Sequence, residues 1–253
     1  MSLEQPPFTF ASTATLAAVE ESRLQQLHIR TEPERLLLSL IITHGLITKA
    51  TWEASNAYSN QELSNAMWRL TRRKLVVARP LCVGTTYFML SKFAASKLEL
   101  PPTSAKALEG DGKVRAYARL LFFTQYYPDA VRVSKDNIVT EIGQCSSGLP
   151  QGFFRRQGTR DWLGFLRVDG HMMGVPMRSA RSLRDDVIRM VAFETVKRKL
   201  KQANFGWFWI TARQSRADAV MTQFKTFDVR NAPVTVVVMP ELLAVVPMKE
   251  RTV

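Results

Sequence analysis

Two stretches of the chain are apolar at every position or nearly so: Phe205-Gly206-Trp207-Phe208-Trp209-Ile210 and Val234-Thr235-Val236-Val237-Val238-Met239. A strand with one wet face alternates apolar and polar residues. A continuous run needs cover on both faces, which a parallel sheet flanked by helices supplies. Residues 163–169, Leu-Gly-Phe-Leu-Arg-Val-Asp, form a third strand candidate. The segments between carry helical patterns. One long helix is expected over 182–202, with Val187, Ile188, Val191, Phe193 and Leu200 as apolar faces, and another near 213–224. No heptad persists through the long helix, so it reads as a structural helix and not a coiled coil. Strand, helix, strand, helix, strand is the order of an α/β domain. Upstream, 113–126 is expected to be helical, with Val114, Tyr117, Ala118, Leu121 and Phe122 as its stripe. A strand is expected to follow through Val133, then a short strand at 137–142. Residues 143–160, rich in Gly, Ser and Gln and holding Arg155, Arg156 and Arg160, read as a loop.

The first hundred residues differ. After a Pro/Ser/Thr-rich arm (1–30), in which 13–27 could add a short helix, Thr31 and Glu34 have capping-box spacing before a helix that is nearly apolar all round. Gly45 suits its stop. Thr48 can cap a second short helix. Ser59 with Glu62 can cap a third, whose stripe is Leu63, Ala66, Met67 and Leu70. Two extended pieces follow, at 75–78 and 85–90, with Arg79, Pro80 and Gly84 in the turn between them. Three helices and a small hairpin make a winged helix, a helix-turn-helix variant. Residues 98–112, with two prolines and two glycines, read as a linker.

Charge points to a partner. The formal net charge is +13 over 253 residues, with +3 on residues 1–110 and +10 on 111–253. Such an excess suits a polyanion, most often nucleic acid. Between Glu62 and Glu99 there is no acidic residue, yet the stretch holds Arg69, Arg72, Arg73, Lys74, Arg79, Lys92 and Lys97. On the third helix, Gln61, Ser64 and Asn65 lie toward the front and Arg69, Arg72 and Arg73 behind. Amides read adenine edges, and arginines clamp phosphates or guanine. The candidate DNA-binding residues are therefore Gln61, Ser64, Asn65, Arg69, Arg72, Arg73, Lys74 and Arg79. Trp68 reads either as a core cap or as a contact residue.

Other chemistries find little footing. Cys82 and Cys145 are too few for a disulfide framework, and His28, His44 and His171 have no ligand spacing. A phosphate-binding glycine loop and a Gly-x-Ser-x-Gly elbow are both missing from the sequence. Cys145, followed by Ser146, Ser147 and Gly148, could be paired with His171 on paper only. No signal peptide and no span long enough for a bilayer is apparent, so a cytoplasmic setting with no membrane partner is expected.

Residues 31–92 resemble the winged helix of the replication-relaxation family of bacterial plasmids and mobile elements. The similarity lies in Leu36 to Leu40, in His44-Gly45-Leu46-Ile47-Thr48, in Arg69-Leu70 with Arg72-Arg73-Lys74-Leu75-Val76, and in Thr86-Tyr87-Phe88-Met89-Leu90. The second half resembles that family's divergent restriction-endonuclease-like domain, through Tyr127-Pro128-Asp129-Ala130 and Phe165-Leu166-Arg167-Val168-Asp169. The resemblance implies a carboxylate two residues before the second aspartate. Here Arg167 stands there, Gly170 follows Asp169, and Met172 occupies the place of a lysine. A metal-dependent nuclease needs clustered carboxylates and usually a lysine. The expected second domain is therefore a degenerate one, with Asp129 a loop cap and Asp169 a strand-end residue.

The sequence thus predicts an α/β protein: an arm over 1–30, a winged helix over 31–105, a linker over 106–112, an α/β domain over 113–245 and a tail over 246–253. It predicts a non-catalytic protein without metal or cofactor that binds double-stranded DNA, in transcriptional control or in replication or transfer of a mobile element. The second domain would extend the footprint or bind a protein partner, and a homodimer would suit a palindromic site. The alternatives are a nuclease built on Asp129 and Asp169, and a basic adaptor for an acidic protein.

Overall fold

The computed structural model describes residues 24–25, 27–54, 57–133, 135–143, 152–156, 158, 161–170, 172, 174–229 and 232–246. The arm before Leu24, Cys145 to Gly148, Arg160, His171 and the tail after Val246 lie outside them. The chain is a mixed α/β protein with two sheets, and it divides into two compact units, Met1–Pro128 and Asp129–Val253.

In the first unit, helix α1 (Glu32–His44) begins where Thr31 Oγ1 accepts from the Glu34 N–H, and it ends at Gly45 in the left-handed region, φ 81°. Leu37, Leu38, Leu40 and Ile41 are buried, as an all-round apolar helix requires. Strand β1 (Ile47–Thr48) leads into α2 (Lys49–Glu53), closed by a capping box between Thr48 and Thr51. Helix α3 (Asn60–Arg72) starts at a second capping box: Ser59 N–H donates to Glu62 Oε2 at 2.9 Å, and Glu62 N–H to Ser59 Oγ at 3.3 Å. Its buried stripe is Leu63, Ala66, Met67 and Leu70, as the periodicity predicts.

Strands β2 (Val76–Cys82) and β3 (Thr85–Leu90) form an antiparallel hairpin, and β1 joins the far side of β3, giving the order β1-β3-β2. Arg79 and Pro80, expected in the turn, lie within β2, opposite Tyr87 and Thr86. The turn is at Val83-Gly84. Pro80 fits there because β2 is an edge strand that bulges between Pro80 and Cys82. Leu24 and Leu27, expected in a loose arm, are core members.

The expected linker is structured. Helix α4 (Lys92–Lys97) and a 3₁₀ turn (Pro102–Ala105) precede α5 (Asp111–Leu121), which runs into a single π turn (Phe122–Tyr126). Leu108 N–H donates to the buried Tyr87 hydroxyl at 3.1 Å, and Lys113 Nζ to the Pro80 carbonyl at 2.9 Å. These bonds fasten 98–113 to the hairpin. The division between the units accordingly falls at Pro128/Asp129 and not at 106–112.

The second unit is a five-stranded sheet in the order β4-β5-β6-β7-β8: Ala130–Arg132, Phe153–Arg156, Leu163–Val168, Phe205–Thr211 and Val234–Val238. The first two pairings are antiparallel, and β6-β7 and β7-β8 are parallel. Strand β7 is buried at every residue, which is why its sequence does not alternate. At Gly164 a Cβ would lie 2.4 Å from the Phe154 ring, so only glycine lets β5 seat that side chain.

Three expectations are corrected here. Residues 137–142 belong to helix α6 (Lys135–Ile142), with Ile138 and Ile142 buried at i, i+4. Part of the expected 143–160 loop is strand β5, whose Phe153 and Phe154 are buried. The single helix over 182–202 is two: α7 (Pro176–Val191) and α8 (Glu194–Lys201), separated by an extended Phe193, ψ 126°. A straight helix would carry Val196 about 135° away from the inward face of α7. The break turns Val196 back into the core, where it is fully buried. Helix α9 (Gln214–Phe224) completes the layer.

Candidate nucleic-acid interface

Helix α3 presents a definite outward line. With Leu63, Ala66, Met67 and Leu70 inward, a 100° step per residue places Gln61, Asn65, Trp68 and Arg72 opposite them. All four are exposed, and Ser64 is half-buried at the margin. Gln61 Nε2 donates to Asn65 Oδ1 at 3.1 Å, which orders both amides before any partner arrives. Trp68 is 60% exposed, and the Arg72 guanidinium lies 5.2 Å from its ring centroid, a cation–π pair at the surface. Trp68 is therefore not a core cap.

Arg69 and Arg73, expected on the same outward side, sit about 70° and 110° round the helix from that line. Both turn to the N-terminus of α1. Arg69 Nε donates to Glu34 Oε1 at 2.7 Å and Nη2 to Thr31 Oγ1 at 3.4 Å. Arg73 Nη2 donates to the carbonyls of Leu27 (2.5 Å) and His28 (3.1 Å), with Nη1 3.8 Å from Glu34 Oε2. Glu34 is 1% exposed and also accepts from the Arg30 N–H at 3.0 Å. Burial alone would push its carboxyl up. The Arg69 hydrogen bond, the Arg30 N–H and the charges of Arg69 and Arg73 outweigh burial and hold it below the usual glutamate range. A signal existed in the sequence: Glu34 opens a helix whose following residues are almost all apolar, a carboxylate so placed needs cations, and an i, i+4 arginine pair supplies two on one line.

Lys74 and Arg79 are exposed and make no ion pair among the described residues. Lys74 has a left-handed backbone, φ 58°, at the turn from α3 into β2. Arg79 lies on β2, and Val83 at the hairpin tip is fully exposed.

In the second unit the two aspartates considered for a metal do not meet. Asp129 precedes β4, whose Ala130 is level with Arg156 of β5, beyond the Phe154–Gly164 pair at the start of β6. Asp169 follows the end of β6. The two lie near opposite ends of the sheet, roughly 20 Å apart along the strands. Asp129 is instead paired with Arg156 at 2.7 Å. Asp169 is 3% exposed and accepts from Ser179 Oγ (2.7 Å) and Arg216 Nε (3.0 Å), while Arg216 also donates to Ser179 and to the Gly174 carbonyl. Arg167 is held by Asp186 and Ser182 of α7. Among the described residues no cluster of three or more His, Cys, Asp or Glu could hold a metal ion. No described helix is long and apolar enough to cross a membrane.

Comparison with known proteins adds no relative: no family model matches the chain, no curated protein is similar to it, and no solved structure matches it.

Proposed function

We propose that the first unit is a winged helix that binds double-stranded DNA, with α3 in the major groove and the β2–β3 hairpin as its wing. The protein would act without catalysis in transcriptional control, or in replication or transfer of a mobile element. The observation that carries this reading is the outward line Gln61–Asn65–Trp68–Arg72, bordered by the exposed cations Lys74 and Arg79. Asn and Gln match adenine edges, and the arginine and lysine charges match phosphates. Asp129 and Asp169, set near opposite ends of the sheet, cannot share one metal ion, so the nuclease alternative loses its pair of ligands. A protein-docking reading keeps one supporting feature, because an exposed Trp–Arg pair is also the chemistry of an interface anchor.

Fluorescence anisotropy of the full chain on duplex DNA over a salt series decides between them. On the DNA reading, Arg72→Ala and Arg79→Ala each lower the salt slope by about 0.9. Asn65→Ala narrows discrimination between sites by about 1–3 kcal/mol. Arg69→Ala should lower the melting temperature more than it changes the slope, since its guanidinium is spent on Glu34. Unchanged affinity and slope in Arg72→Ala, Lys74→Ala and Arg79→Ala would remove α3 and the hairpin as the DNA surface.

A further inference from the structure

Helices α7 and α8 pack one side into the core beneath the sheet, through Leu183, Val187, Met190 and Val196. Their other side is strongly basic. Three carboxylates lie on these helices, and each is held by a cation: Asp185 by Arg184 (2.7 and 2.9 Å), Asp186 by Arg167, and Glu194 by Lys197 (2.5 Å). Lys199 is turned inward to Glu141 at 3.1 Å and the Asp161 carbonyl at 2.6 Å. Arg178, Arg181, Arg189, Arg198 and Lys201 remain, all exposed and with no carboxylate within salt-bridge distance among the described residues, although the charges of Arg189 and Lys201 are felt by Asp186 and Glu194.

Three of these cations share one line along α7. On α7, Arg178, Arg181 and Arg189 fall within an arc of about 80° and span roughly 16 Å of helix axis. One strand of B-DNA presents a phosphate every ~3.4 Å of its axis, so that length faces about five phosphates. Asp185 lies between Arg181 and Arg189, but Arg184 holds it with two nitrogens. Ile188 and Val175 are exposed singly and form no apolar patch of their own.

We infer that the outward face of α7 and α8 is a second, sequence-independent binding surface for the phosphate backbone of duplex DNA. The inference rests on the DNA reading of the first unit only for naming the polyanion. Arginine suits the task because its fork donates two hydrogen bonds to one phosphate. The surface reads no base. Its contribution is affinity and residence on DNA, added to whatever discrimination α3 provides.

The test uses the full chain on a random-sequence duplex, with the variant R178A/R181A/R189A beside R72A/R79A and wild type. Thermal melts confirm that the exposed substitutions leave the fold intact. The α7 variant should lower the salt slope by roughly two to three and weaken binding about tenfold or more at physiological salt. Its ratio of specific to random affinity should not change, and the lysine variant R178K/R181K/R189K should restore most of the slope. A slope equal to wild type in R178A/R181A/R189A overturns the inference. So does binding of polyglutamate in place of duplex DNA. The two readings separate cleanly: if R72A/R79A is silent while the α7 variant loses slope, the second surface stands and the α3 reading falls. Wild type that ignores duplex DNA ends both.

Discussion

Each unit holds a buried carboxylate against arginines, yet Glu34 of the first and Asp186 of the second end with opposite electrostatic results. In the first unit Glu34 gathers Arg69, Arg73 and the Arg30 N–H, so its charged form is favoured despite burial. In the second, Asp186 meets Arg167, and burial prevails. Desolvation raises its carboxyl above the ordinary aspartate range, Arg167 and Arg189 pull it down without cancelling that effect, and neighbouring Asp185 adds to the rise. The difference teaches that an ion pair does not by itself say which protonation state a fold prefers. The number of donors reaching the carboxylate, set against the water it has lost, decides.

The largest effect that bears on this comparison is expected at Asp169. Its pair with Arg216 is almost wholly buried, so Asp169→Ala leaves an uncompensated guanidinium and should cost about 3–5 kcal/mol in urea unfolding. A loss under about 1 kcal/mol would mean that Ser179 and the Gly174 carbonyl suffice to hold Arg216. Next comes Glu34→Gln, at about 2–3 kcal/mol. The glutamine keeps the shape but loses the charge, and Arg69 and Arg73 can turn part of the way to solvent. An unchanged midpoint would show that the clamp contributes no stability.

The pH dependence is smaller and has opposite signs. Glu34 has a lowered folded pKa, so its contribution is full above its ordinary value of 4.5 and is lost as pH falls through the lower folded value. Asp186 has a raised folded pKa, so its contribution is full below 3.8 and is lost as pH rises through the folded value. Glu141, held by Arg155 and Lys199, behaves as Glu34 does. Subtracting the melts of Glu34→Gln and Asp186→Asn from wild type across mildly acidic pH isolates each sign. Two difference curves of the same slope would break the comparison. The smallest effect is that of Asp186→Asn at neutral pH. Because the fold already disfavours the charge, this variant should cost less than Glu34→Gln, within about 1 kcal/mol of wild type, the Arg167 charge that it leaves being half-exposed.

Local signals carried much of the fold. The cap at Thr48, the capping box at Ser59 and the α3 stripe follow from spacing alone, because neighbours three and four residues apart meet on a helix whatever surrounds it. Strands β6, β7 and β8 were legible because uninterrupted apolar runs have no stable place outside a covered sheet. Short elements were not. Helix α6 shows only two isoleucines at helical spacing, and β5 is four residues in a polar setting, so neither rises above its background.

The candidate site divides in the same way. Sequence by itself determined that α3 has an apolar side and an opposite side bearing Gln61, Asn65, Trp68 and Arg72, since a helix fixes those angles. It also determined the acid-free basic stretch and the basic excess of the second half. Only the tertiary structure decided which arginines stay outside. Arg69 and Arg73 lie 35 and 39 residues from Glu34, and Arg216 lies 47 from Asp169. A cation at the edge of a helix can turn to solvent or to a buried carboxylate. The choice depends on which helix end is packed beside it, and no local pattern contains that information.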